Sequence, residues 1–126
     1  MTSKNHMTFP ITITYRHMDA SAALDERICE LAERLARVSS HVLRGHVVIE
    51  APHQRSQGRL FKVQLDLQVR GRQIVVHRTK SANPAHEDVY VALRDAFRAA
   101  RRTLDDYEEF LRRKVELRPA GEEEPV

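Results

Sequence analysis

From Phe61 to Arg70 the chain alternates apolar and polar residues without a break. Phe61, Val63, Leu65, Leu67 and Val69 fall on one side, and Lys62, Gln64, Asp66, Gln68 and Arg70 on the other. Period two is the repeat of a strand, and on a helix the same run would scatter its apolar residues round the axis. The segment therefore demands a sheet with one dry face and one wet face. Gly71-Arg72 then offers a tight turn into Gln73–Arg78, which makes the strand one arm of a hairpin.

Two further strands are expected. Phe9, Ile11, Ile13 and Tyr15 alternate with Pro10, Thr12 and Thr14, and His46 to Glu50 is a shorter β-rich piece. Between them Leu24, Ile28, Leu31, Leu35 and Val38 make an apolar stripe on a helix of about five turns, with Asp19 or Ser21 as its cap. Ser81-Ala82-Asn83-Pro84 breaks the chain before a second, longer helix. Its stripe is Val89, Leu93, Phe97, Ala100, Leu104, Tyr107 and Leu111. The order is β-α-β-β-β-α, an α+β fold. Its expected form is two-layered, a four-stranded sheet with both helices packed on one face.

A chain of 126 residues has room for one core of this kind. Residues 1–8 are expected to form a flexible lead and 9–115 a single domain. Pro52 to Gly58 is expected as a mobile loop, and 116–126 as a disordered acidic tail. That tail holds four glutamates and one arginine, so residues 1–115 carry 20 basic against 14 acidic side chains, a net of +6 where the whole chain has +3. A basic body of this kind suits an anionic partner. Cys29 is the only cysteine, which excludes an intrachain disulfide and fits a reducing compartment. There is neither a signal-peptide core nor an apolar run long enough to span a bilayer, so a cytoplasmic location is expected.

Catalysis finds no foothold. There is no nucleophile elbow or phosphate loop among only 4 glycines, and the seven histidines show no metal-ligand spacing. No enzyme, metal or cofactor is expected. His86-Glu87-Asp88 reads as acidic residues complementing the start of the second helix.

The helices differ in how they carry charge. In the first, Glu26, Glu30 and Arg34, with Glu33 and Arg37, mix signs at four-residue spacing and read as a balanced, solvated face. In the second, Arg94, Arg98 and Arg102 recur one turn apart with Arg101 beside them, and they are expected opposite the apolar stripe. Like charges so spaced destabilise a helix unless a polyanion neutralises them. Arginine suits that task, gripping phosphate through two parallel N–H bonds and stacking on unpaired bases, and 17 of the 21 basic residues are arginine. The competing reading is a merely solvated face. In it Asp105 and Asp106 pair with Arg101 and Arg102, and Glu108 and Glu109 with Arg112 and Arg113.

The stretches ITITYRHMDASAALDERI (Ile11 to Ile28) and HEDVYVALRDAF (His86 to Phe97), with HVVIE (His46 to Glu50), resemble a known family. It is that of the ribosome hibernation promoting factors and ribosome-associated translation inhibitors, also called sigma-54 modulation proteins. The likeness covers about residues 9–114. Arg102 stands where the family commonly has a base, whereas Ala99, Asp106 and Glu108 occupy positions that are usually basic, and Tyr15 replaces a usual glycine. The resemblance implies a short-form, non-enzymatic protein that sits on the small ribosomal subunit near the decoding centre and inhibits translation under stress. Arg94, Arg98, Arg101 and Arg102 would then contact ribosomal RNA. Arg16, His17, Lys62, Arg70, Arg72, Arg78 and Lys80 would extend the basic surface. Two alternatives remain. One is a protein-binding regulator using the acidic Asp105–Glu109 run and the tail; the other is a weakly self-associating domain that pairs sheet edges.

Overall fold

The computed structural model describes residues 9–51, 61–78 and 88–116. The lead at 1–8, the loop at 52–58, the break at 81–84, Lys80 and the acidic tail lie outside the described residues.

The elements are β1 (Ile11–Arg16), α1 (Ala22–Val38), β2 (Val42–Glu50), β3 (Lys62–Val69), β4 (Arg72–Arg78) and α2 (Val89–Glu116). They form the expected α+β order, with one sheet whose strands lie in sequence order. β1 pairs with β2 in parallel, and the other two pairings are antiparallel. A parallel neighbour needs a crossover, and α1 is that crossover. Alternation along β3 sends Val63, Leu65, Leu67 and Val69 into the core, each fully buried. They meet Ile28 and Leu31 of α1 and Leu93, Phe97 and Leu104 of α2 in one apolar cluster.

Three boundaries depart from expectation, each for a local reason. β2 starts at Val42, not His46, because a bulge between Val42 and Arg44 breaks the alternation and hides its first residues. Gly45 follows that bulge. A Cβ there would come within 3.1 Å of the Phe9 ring and 3.2 Å of a Leu67 methyl, so a side chain would require those two core residues to give by a few tenths of an ångström. The hairpin turn is Arg70-Gly71, not Gly71-Arg72: Val69 faces Arg72 across the ladder, and Gly71 takes φ +83°. Val38 is 42% exposed, so the α1 stripe ends at Leu35.

Caps set the helix starts. The Ser21 hydroxyl accepts from the Leu24 N–H at 3.2 Å, and the Asp88 carboxylate accepts from the Tyr90 N–H at 2.9 Å. Tyr15, the residue that departs from the family pattern, ties β1 to the start of α1. Its hydroxyl donates to Asp25 Oδ1 at 2.7 Å and lies 3.0 Å from the Ser21 carbonyl. Burial, then the Asp25 carboxylate, pushes the phenol far above its ordinary value of 10.0. Tyr15→Phe is expected to destabilise the fold by about 1–2 kcal/mol in urea denaturation at neutral pH. A raised phenol favours the folded state only while the unfolded phenol keeps its proton. The difference between wild type and Tyr15→Phe should therefore shrink as pH climbs past 10.0.

Candidate nucleic-acid interface

The two helices lie side by side on the sheet and run in the same direction. Leu31, Arg34 and Leu35 of α1 border a groove whose other wall is Arg94, Phe97, Arg98, Arg101, Arg102 and Asp105 of α2. Farther along, Ser39 and His41 reach Glu108. The groove encloses about 320 Å³. Its floor is apolar and nearly closed, with Leu31 at 6%, Leu35 at 3% and Phe97 at 5% exposure.

This placement refines the expected one. At 100° per residue Arg98 and Arg102 stand roughly opposite the apolar stripe of α2, whereas Arg94 and Arg101 lie about 80–110° round from its centre, and all four line the groove against α1. They therefore face another helix across a groove, and that helix adds an arginine of its own. Arg34 was expected to pair with Glu30, but Glu30 takes Arg27 at 3.0 Å. Among the described residues neither Arg34 nor Arg37 forms an ion pair, so α1 is not the self-balanced face its spacing suggested.

The pairing of the α2 column is uneven. Arg94 meets Asp95 at 3.4 Å and Arg101 meets Asp105 at 3.6 Å, with both guanidinium groups about half exposed. Exposed pairs of this length are worth roughly 0–1 kcal/mol and do not fix a side chain. Arg98 and Arg102 are exposed and form no ion pair among the described residues. Glu108 does not pair with Arg112 as its spacing allowed. It accepts from Ser39 Oγ and lies 2.8 Å from His41 Nδ1, holding the ends of α1 and α2 together. Glu109 takes both Arg112 and Arg113. Chemically the groove can bind an anion, with five guanidinium groups against the single carboxylate of Asp105 along its lining.

The other sequence-selected residues are dispersed. Arg16 and Lys62 flank Glu50 in one cross-strand row on the open face of the sheet, away from both helices. That face is largely satisfied by its own pairs, Thr14 with His46 at 2.8 Å and Gln73 with Asp66 at 2.8 Å. His17 adopts φ 61° after β1 and sits 3.6 Å from the Glu50 carboxylate. Arg70 is in the hairpin turn, and Arg72 lies over the Tyr107 ring on the helix side. Arg78 pairs with Val63 in the ladder. The structure thus gathers Arg94, Arg98, Arg101 and Arg102, adds Arg34, and does not bring Arg16, His17, Lys62, Arg70 or Arg72 to them; the Arg78 side chain and Lys80 lie outside the described residues. Arg34 lies directly before Leu35 of the apolar stripe, and that adjacency, which turns it toward the helix–helix seam, was the available signal for it.

No helix among the described residues is long and apolar enough to cross a membrane. No curated protein matches the sequence. Solved structures that share the fold include the following two. A ribosomal subunit interface protein from Coxiella burnetii superposes with a TM-score of 0.61 at 16% identity, covering 80% of this chain and 99% of the other. The N-terminal domain of Protein Y from Thermus thermophilus gives 0.60 at 16% identity, with the same 80% and 99% coverage. At that identity they speak for the architecture alone. The sequence profile described as "Sigma 54 modulation protein / S30EA ribosomal protein" matches residues 11–112. The match spans every described strand and most of both helices, so the chain belongs to the sigma-54 modulation protein / S30EA ribosomal protein family.

Proposed function

We propose that the protein is a cytoplasmic, non-enzymatic translation inhibitor that docks on small-subunit ribosomal RNA near the decoding centre. It blocks mRNA and tRNA by occupancy and so silences idle ribosomes. Family membership supports ribosome association, and among the solved structures that share the fold is one that carries the name of a ribosomal subunit interface protein. The observation that carries the RNA-binding reading is the groove. Arg98 and Arg102 stand exposed and without a carboxylate partner among the described residues, in a lining that also draws in Arg34, Arg94 and Arg101. A column of like charges at four-residue spacing destabilises its own helix, and a phosphate backbone removes that penalty.

The mechanism has a salt signature. If about six phosphates are neutralised, the affinity for small subunits should fall with salt at a log–log slope of roughly −4 to −5. Filter binding between low and physiological salt measures it. An affinity that holds constant over that range would remove phosphate recognition as the basis of binding.

The protein-binding alternative draws on an acidic run that is partly engaged within the fold. Glu108 is held by Ser39 and His41 and Glu109 by two arginines, whereas Asp105 meets Arg101 only at 3.6 Å and Asp106 is exposed. A ribosome-free pull-down that captured a protein while purified subunits captured nothing would favour it.

A further inference from the structure

On the flank of α2 turned away from α1, three side chains stack into a short column. The Tyr107 hydroxyl donates to the Arg70 carbonyl at 2.7 Å, which pins the ring against the hairpin turn. The Arg72 guanidinium lies over that ring, 4.6 Å from its centroid. Phe110 stacks beside it, with centroids 6.5 Å apart and planes 20° from parallel. Tyr107 is 7% exposed, whereas Phe110 is 54% exposed. Helical spacing puts Phe110 roughly 100° off the centre of the apolar stripe, so the core does not call for it. Lys114, one turn beyond, is exposed on the same side and forms no ion pair among the described residues.

We infer that Phe110 is a stacking platform for an unpaired nucleobase, with Lys114 one turn on along the same flank and Arg72 on the Tyr107 ring as the cations for adjoining phosphates. The inference rests on the RNA-binding reading and extends it to the far flank of α2. A single exposed apolar side chain is ordinary on a protein surface. What distinguishes this one is its backing and its setting. Tyr107 is anchored at both its hydroxyl and its ring, so the ring stacked on it is held in place and little freedom is lost when a ligand covers it. An apolar protein partner would have to strip water from the neighbouring cations. A nucleotide brings an apolar face and an anion together, which is what the site presents in complement.

The spacing suits a single strand. Phe110 follows Arg102 by eight residues, about 12 Å along the helix axis, so one flexible strand can touch both. A duplex keeps its bases paired and stacked on one another and offers none to the ring. Among the described residues Asp106, exposed, lies between the two points on the helix surface, where such a strand would pass it.

The protein has no tryptophan, so Phe110→Trp creates a reporter at one known position. The variant is titrated with a short unstructured RNA and with an RNA duplex of equal length, at the same low salt. Saturable quenching by the single strand and little by the duplex is expected. Phe110→Ala should weaken single-strand binding by roughly 5- to 150-fold, the worth of one stacked base, with Phe110→Tyr near wild type and thermal melting little changed. Asp106→Asn should tighten it. If the oligonucleotide binds while the emission stays fixed and Phe110→Ala binds like wild type, the platform is wrong and the groove stands. Absence of any RNA binding removes both. Emission that shifts with protein concentration alone would mean that a second copy covers the ring, and the inference fails.

Discussion

Arg98→Glu/Arg102→Glu protein is expected to lose co-sedimentation with small ribosomal subunits while melting close to wild type. Both side chains are exposed and form no ion pair among the described residues, so their removal orphans no partner. Hydrogen bonds to charged groups contribute roughly 1.5–3 kcal/mol each, so losing two corresponds to about a 10²- to 10⁴-fold drop in affinity before any repulsion from the new carboxylates. The stability change should be small. The double change makes the 94/98 pair attractive, leaves the 98/102 pair like-charged and sets an acid at 102 four residues before Asp106, each contribution being worth roughly 0.2–0.5 kcal/mol. A variant that melts close to its parent cannot have lost binding by unfolding. Arg16→Glu/Lys62→Glu places the same charge change on the open sheet face, where only screened, long-range attraction is lost, and a smaller effect is expected. Undiminished pelleting of the Arg98/Arg102 variant, or equal loss in both, would rule out the groove as the docking surface.

The contrast between those two variants could not have been designed from sequence. Alternation in 61–70 and the two apolar stripes announced the sheet, the helices and their common face, because burial on one side writes its period directly into the chain. Where a local irregularity interrupts that period, the reading slips. The bulge at Val42/Arg44 hid four residues of β2, and the turn was placed one residue late because Gly71 serves as its second member. Charge is harder still. The spacing of Arg94, Arg98 and Arg102 was visible, but the direction they face depends on where α1 lies beside α2. Glu30 has the favourable acid-before-base spacing to Arg34, yet in three dimensions it takes Arg27, three residues before it. Glu108 is an acid where the family usually has a base. Its role became plain only when Ser39 and His41, far away in sequence, were found against it.

Phe97→Ala is expected to destabilise the fold by about 3–5 kcal/mol, the usual range for emptying a buried phenylalanine site. For a domain of this size that is a fall in Tm of roughly 10–25 °C. Phe97 is 5% exposed, belongs to the core cluster, and lines the groove with Leu31 and Leu35. It therefore acts as the spacer that sets the distance between Arg34 on one helix and Arg98 and Arg102 on the other. A protein with total stability of about 5–15 kcal/mol has little left after such a loss, so reduced ribosome binding by Phe97→Ala carries no information about contacts. Phe97→Leu keeps most of the volume, and its expected cost is about 1–2 kcal/mol. Such a variant should retain both its salt slope and its co-sedimentation, because the floor supports the arginines without touching RNA. Differential scanning calorimetry and sedimentation on the same preparations decide the point. A Phe97→Leu protein that melts near wild type and no longer pellets would make the floor itself part of the RNA contact.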